Sequence, residues 1–239
     1  SGIKLSIIVP CYNEAENLPF LIRRFFEISK PGIQIVLVDN GSTDNTAQVL
    51  LSELLKYETH PFKIVTLQEN KGYGYGILSG LEKAEGDVLA WTHADMQTEP
   101  YDVIRAFECF STKEHENWVI KGQRQNRPLL DTFLTWGMTV IASTVLGVPL
   151  KDVNAQPKLF HKNFYAKYIR GQAPYDFSLD LFLLYCAQKY GSLETIPVKF
   201  CTRLHGESKG GGGSLTNRWK LVKRTYKYIF ALRKKIKHT

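Results

Sequence analysis

The sequence predicts an α/β protein built on a mainly parallel sheet flanked by helices, and three observations carry that prediction. Between Lys4 and Trp91, short β-branched or apolar runs alternate with helical patterns, the succession expected of right-handed crossover units. The polar clusters fall directly after the apolar runs, at what would be the carboxyl ends of strands, where open α/β sheets bind ligands. Finally, 239 residues of which 44% are hydrophobic suffice for one large domain with a real core and argue against disorder.

Lys4 to Val9 reads as a strand stopping at Pro10, and Cys11, Tyr12, Asn13 and Glu14 form the turn before a helix from Ala15 to Ser29. That turn lacks the glycines a dinucleotide fingerprint requires for close approach of a pyrophosphate. Ile33 to Val38 is the second strand; Asp39, Asn40, Gly41 and Ser42 follow, with Thr43 as N-cap of a helix to about Lys56. Asp39 stands where an acidic residue can read a nucleoside, with simple turn chemistry as the lesser competing reading. Phe62 to Leu67 is the third strand, and the run from Asn70 through Lys71 to Gly76 opens a helix to Ala84. Glycines there let an anion approach a helix N-terminus, a weak signal taken alone.

Val88 to Trp91 is a short buried strand that runs into His93, Asp95 and Gln97, alternating with Ala94 and Met96. If this stretch stays extended, the three polar side chains project to one side and can hold a divalent cation; a polar turn capping the strand is the competing reading. Tyr101 to Phe110 follows as a helix and Trp118 to Lys121 as a strand ending in Gly122, Gln123 and Arg124. Thr132 to Leu150 carries no charge, yet its threonines and serine dilute it, and Leu134, Met138, Ile141, Val145 and Val148 fall on one face. It reads as an amphipathic surface helix, packed on the protein or lying on a bilayer, rather than as a membrane span.

Asp152, Asn154, Gln156 and Lys158 make a polar segment before an apolar pair, Phe177 to Tyr190 is helical with Asp180 near its start, and Val198 to Thr202 is the last strand. Arg203, Ser208 and Lys209 belong to a cationic stretch that ends in four glycines, suited to closing over phosphate or serving as an ordinary mobile loop. The final segment, Leu215 to Thr239, holds nine of the chain's 31 Lys and Arg residues and no Asp or Glu, so the rest is close to neutral against 23 acidic residues. It is a basic amphipathic helix, expected as a unit apart from a catalytic domain over residues 1–214. Four scattered cysteines without a CxxC pair fit reduced thiols, and no secretory signal is visible, which places the chain in the cytoplasm.

Taken in order, Pro10, Tyr12, Asn13 and Glu14, the Asp39 to Asp44 segment, His93-Ala94-Asp95, Arg124, the Asp152 to Lys158 stretch, Asp180, and Arg203 with Gly206, Ser208 and Lys209 resemble the motifs of the family-2 glycosyltransferases. The resemblance is narrower still to the dolichyl- or polyprenyl-phosphate sugar transferase branch. It departs from the pattern at His93, where an aspartate is usual, at Asn40, where a second Asp is usual, and in the stretch altered to Ala155, Gln156, Pro157 and Lys158. The four-helix or paired-helix transmembrane anchor that many members carry after the catalytic domain is not among these 239 residues, being either naturally absent or cut from this sequence.

The resemblance implies a GT-A, Rossmann-like fold with a mixed, mainly parallel sheet and amphipathic surface helices. It implies an inverting, metal-dependent transfer of a sugar from a nucleotide-diphosphate sugar to a polyprenyl phosphate, with the enzyme peripheral at the inner face of an anionic membrane and no nucleic-acid partner. Pro10, Tyr12, Glu14, Asp39, Lys71, Ala94 and Asp95 would bind the nucleotide. Asp95 and Gln97, with His93, would hold Mg2+ or Mn2+. Arg124, Arg203 and Lys209 would stabilise phosphate charge, and Asp152, Gln156, Lys158 and Ser208 would line the acceptor side. Two alternatives stay open: a sugar-hydroxyl acceptor in glycan assembly, for which Asp180 would be the base, and a catalytically dead sugar-nucleotide-binding module.

Overall fold

The computed structural model describes residues 2–113, 115–125, 129–201 and 215–237. Its first half is a run of crossovers: β1 (Leu5–Cys11), α1 (Leu18–Ile28), β2 (Ile33–Asn40), α2 (Thr46–Leu54), β3 (Phe62–Leu67), α3 (Tyr73–Leu81) and β4 (Val88–Trp91). After α4 (Tyr101–Ser111) come β5 (Trp118–Gln125), α5 (Leu129–Leu146), β6 (Lys158–His161) and α6 (Lys162–Phe164), which continues as a π-helical turn over Tyr165–Ile169. The chain then adds α7 (Leu179–Tyr190), β7 (Ser192–Lys199) and α8 (Leu215–Lys237). The strands form one sheet in the order β3-β2-β1-β4-β6-β5-β7. β1 to β4 are parallel, β6 runs antiparallel between β4 and β5, and β7 is parallel to β5 at the edge.

Alternation along the strands divides the core between the two faces. Leu5, Ile7 and Val9 of β1 meet Leu21, Ile22 and Phe25 of α1, Leu50 of α2 and Val103 of α4 on one side. Ile8, Leu89 and Trp91 meet Ile77 of α3, Leu146 of α5, Leu183 of α7 and Ile229 and Leu232 of α8 on the other. Helix α8 is therefore packed into the body of the protein through Ile229 and Leu232, with Lys220, Lys223, Arg224, Lys227, Lys234 and Lys235 outside.

Several boundaries differ from the sequence reading for physical reasons. β1 continues through Pro10 to Cys11, because β4 stops pairing at Ile8 and the missing Pro10 N–H faces no partner strand there. Thr43 is not the N-cap of α2; its N–H donates to Asn13 Oδ1 at 2.8 Å, and Asp44 Oδ1 takes the Thr46 N–H at 2.9 Å. The last strand lies earlier, at Ser192–Lys199, where only Ile196 and Val198 turn inward and Pro197 sits at the sheet edge. β6 hides in the sequence because Lys158 opens it, and a buried lysine breaks the apolar pattern. On α5, Ile141 faces outward with Trp136 and Val140, while Ala142 and Leu146 face the core.

Candidate active site

The site lies at the carboxyl ends of the parallel strands. Two turns there are stapled together: Asn13, held at φ +51°, accepts from the N–H groups of Thr43 and Asp44, and its own N–H donates to Ser42 Oγ at 3.1 Å. Pro10, Tyr12 and Glu14 thus sit across from Asp39, whose Oδ1 takes the Ser42 N–H at 3.1 Å. Glu14 is buried and accepts from Asn17 Nδ2 at 2.7 Å, with its N–H on Thr46 Oγ1. Asn40 is buried and ties the floor to α3, its amide donating to the Gly72 carbonyl at 3.1 Å. Gly76 is required there, since a Cβ would come within 2.7 Å of the Asn40 amide. Lys71 is exposed at the rim, paired with Glu69 at 3.1 Å.

At the end of β4, Ala94 is buried and His93, Asp95 and Gln97 are half-buried. Asp95 Oδ1 takes the Gln97 N–H at 3.1 Å, a turn made possible by Met96 at φ +60°. His93 Nε2 lies 3.0 Å from the Tyr73 hydroxyl, and burial lowers the imidazole pKa despite the nearby Asp95 and Asp180, favouring the neutral, ligand-competent ring. Among the described residues no three His, Cys, Asp or Glu side chains gather tightly enough to hold an ion unaided. The stretch is a turn and not extended as the alternation of polar residues suggests; its carboxylate, amide and imidazole are donors that a divalent cation completing its shell with phosphate oxygens and water could use.

Beyond β4 the candidate site is built from buried charge. Arg124, at the end of β5, donates from its backbone N–H, Nε and Nη2 to the Asp152 carboxylate. Burial alone would raise the Asp152 carboxyl, but Arg124 outweighs it and holds the group below the usual carboxylate range. Asp180, only 3% exposed at the start of α7, is surrounded by donors: Lys158 Nζ at 2.7 Å, Trp91 Nε1 at 3.1 Å and Gln156 Nε2 at 3.1 Å, all on Oδ1. Burial again opposes ionisation, and the Lys158 ammonium prevails, holding Asp180 low. Arg203, Ser208 and Lys209 lie outside the described residues.

Three residues of this arrangement escaped the sequence reading as site residues. Tyr73 was part of a glycine-rich run, Trp91 ended an apolar strand, and Lys121 closed one. A buried indole needs an acceptor for its N–H, and a lysine inside an apolar strand needs a carbonyl or carboxylate; both needs were the available signals.

Turns at the carboxyl ends of a parallel sheet, a carboxylate-bearing turn after the fourth strand and an antiparallel insertion define a GT-A glycosyltransferase architecture. The chain belongs to glycosyl transferase family 2, whose family model matches residues 6–162. It is similar to undecaprenyl-phosphate 4-deoxy-4-formamido-L-arabinose transferases: 29% identical over 209 residues to that of Pseudomonas fluorescens Pf0-1, covering 86% of this chain and 59% of that protein. To the protein of Pseudomonas savastanoi pv. phaseolicola it is 38% identical over 104 residues, 42% of this chain and 31% of that one. The chain thus spans less than two thirds of the length of these curated relatives. In fold it is similar to glucosyl-3-phosphoglycerate synthase of Mycobacterium tuberculosis, crystallised with Mn2+, UDP and glucosyl-3-phosphoglycerate (TM-score 0.74, 15% identity, 97% of this chain and 80% of that one).

Proposed function

We propose that this glycosyltransferase moves a sugar from a nucleotide-diphosphate sugar to a polyprenyl phosphate at an anionic membrane surface, inverting the anomeric centre in a single displacement. The observation that carries the acceptor assignment is the state of Asp180. A hydroxyl acceptor needs a carboxylate able to take its proton, and Asp180 is sealed under Lys158, Trp91 and Gln156 with its basicity reduced. A phosphate monoester is already ionised and attacks without that help.

The stapled turns of Pro10 to Glu14 and Asp39 hold the nucleoside in this reading, with Lys71 at the rim. Asp95 and Gln97, with His93 beside them, would hold Mg2+ or Mn2+, which when bound supplies Lewis-acid stabilisation of the departing diphosphate. Arg124, with Arg203 and Lys209, supplies cationic hydrogen bonds to phosphate; Asp152, Gln156 and Lys158 support the acceptor side from beneath, being buried, and Ser208 completes it. The membrane assignment draws on an exposed apolar ridge on α5, formed by Trp136, Val140 and Ile141, and on Trp219 and Phe230 of α8 among exposed lysines. No helix of the described residues is long and apolar enough to cross a membrane.

Nucleotide release from a panel of sugar donors tests the assignment, with polyprenyl phosphate or a glycan as acceptor and with or without divalent ions. Release stimulated by polyprenyl phosphate alone supports it. Stimulation by glycan hydroxyls moves the enzyme to the alternative acceptor class, and silence with every donor leaves the binding-module reading.

A further inference from the structure

Lys121 is the one fully buried lysine of the site that the proposed reaction leaves unused. It lies on β5 directly opposite Lys158 of β6, which in turn lies opposite Trp91 of β4, so the three form a row across one face of the sheet. The two lysines are held differently. Lys158 Nζ has a counter-ion in Asp180 and a second acceptor in the Ala155 carbonyl at 2.7 Å. Lys121 Nζ donates to two backbone carbonyls, Gly122 O and Asp152 O, each at 2.9 Å. It is 1% exposed.

The second of those carbonyls belongs to the residue that clamps Arg124. Asp152 stands at φ +45°, a left-handed conformation that a non-glycine residue holds only when its surroundings fix it. Its carbonyl also accepts the Ala155 N–H at 3.1 Å, and Gly122 N–H meets Pro157 O at 2.9 Å, so the 152–157 turn is fastened to β5 at both ends. With the backbone of Asp152 gripped from below, its carboxylate is aimed at the Arg124 guanidinium.

We infer that Lys121 is a positioning residue for sugar transfer: its amine fixes the Asp152 turn, and Asp152 in turn fixes Arg124 toward phosphate. The assignment rests on the proposed role of Arg124, while the mechanical link from Lys121 to Arg124 stands on its own geometry. Either protonation state of the amine retains enough N–H groups for both carbonyls, so the grip does not depend on the charge.

The test joins a structural readout to a kinetic cycle. In the full chain, solvent exchange of the Arg124 Nε–H is followed by nitrogen-edited NMR in wild type and Lys121→Met, the signal being assigned by its absence in Arg124→Gln. Turnover and donor KM are measured for both single variants and the double. The expectation is Nε–H exchange about tenfold or more faster in Lys121→Met at an unchanged fold. The turnover number should fall about 10- to 100-fold with donor KM nearly constant, and Lys121→Met should cost nothing further once Arg124→Gln is present. Unchanged Arg124 exchange, or additive losses in the double variant, overturns the inference. Faster exchange together with full turnover in Arg124→Gln overturns the role given to Arg124 and leaves the mechanical link intact. Should Lys121→Met not fold, Lys121→Gln, whose amide ends one bond short of the Lys121 amine, is measured instead, with faster Arg124 Nε–H exchange expected and an unchanged rate overturning the inference.

Discussion

The half of the molecule made by β1 to β4 and the half made by β5 to β7 build their functional residues in opposite ways. In the first, the polar work is done at the upper edge of the sheet, where Asn13 serves the Ser42–Asp44 turn, Asp95 serves its own, and the buried Glu14 and Asp39 accept from neighbouring amides. In the second, the charges are inside: Lys121, Lys158, Asp152 and Asp180 are all buried, and each is satisfied by another member of the site or by its backbone. Chemistry and folding are separable in the first half and fused in the second.

Asp95→Ala tests the separable half and should have the largest effect on activity. Removing the one carboxylate of the His93–Gln97 segment should cost several kcal/mol of leaving-group stabilisation, about a thousandfold or more in turnover. Denaturant unfolding should show stability close to wild type, since Asp95 is half-buried and serves its own turn. Full turnover in the variant, or activity indifferent to excess chelator, would remove the metal role. A large loss of stability would erase the contrast between the halves.

Asp180→Asn tests the fused half. The substitution leaves the Lys158 ammonium buried without its counter-ion, a change that costs about 3–5 kcal/mol in stability. Replacing both members, Lys158→Met with Asp180→Leu, should recover only part of that loss, because Trp91 Nε1 and Gln156 Nε2 lose the Oδ1 acceptor they share. Because the folded-state pKa of Asp180 is depressed, its contribution is present above the ordinary carboxylate range and disappears as pH falls through the depressed value. The opposite result, unchanged stability with turnover lowered about 10² to 10⁴, is the signature of a general base and would favour a hydroxyl acceptor.

This contrast also explains what the sequence made legible. β1 to β4 are written as apolar runs ending in polar turns, and the crossover order follows from that pattern. β6 could not be read so, because Lys158 stands in it and its place between β4 and β5 is fixed by residues distant in sequence. The candidate residues at the strand ends were legible from their spacing; the partners Tyr73, Trp91 and Lys121 were not, since only the closed sheet brings them to His93, Asp180 and Asp152. The basic character of α8 was plain, but its burial against α5 through Ile229 and Leu232 depends on the folded body.

That burial changes how the membrane role is tested. Deleting Leu215 to Thr239 would uncover the core as well as remove charge. Replacing the exposed Lys220, Lys223, Lys227 and Lys234 with Gln leaves Ile229 and Leu232 in place. Sedimentation with anionic liposomes should weaken by up to about 1 kcal/mol per lysine at low salt, with the difference shrinking as ionic strength rises. Donor affinity should not move. Liposome binding that survives the four changes, or ignores salt, would make α8 a packing element only.

The smallest effect per pH unit, and the sharpest probe of charge inside the second half, belongs to Lys121. Burial lowers its pKa to about 7 from 10.5, reinforced by Lys158 and Arg124 and opposed by Asp152 and Asp180. Below about 7 both folded and unfolded chains hold the proton, and the folded chain bears the whole penalty of a buried ammonium. Between about 7 and 10.5 the unfolded chain keeps a proton the folded chain has released, so the Lys121 contribution makes stability rise with pH by about 1.4 kcal/mol per unit. Above that window it is flat. Urea unfolding of wild type and Lys121→Met across pH 6 to 9 isolates this term, because the other titrating groups are common to both. Wild type should gain about 2 kcal/mol on the variant between pH 7 and 9, the slope reaching its full value only above the folded pKa. A constant difference would show that Lys121 stays charged when folded, with Asp152 and Asp180 supplying enough negative potential to hold the proton. The acceptor half would then carry a permanent excess of positive charge under the phosphate it is proposed to bind.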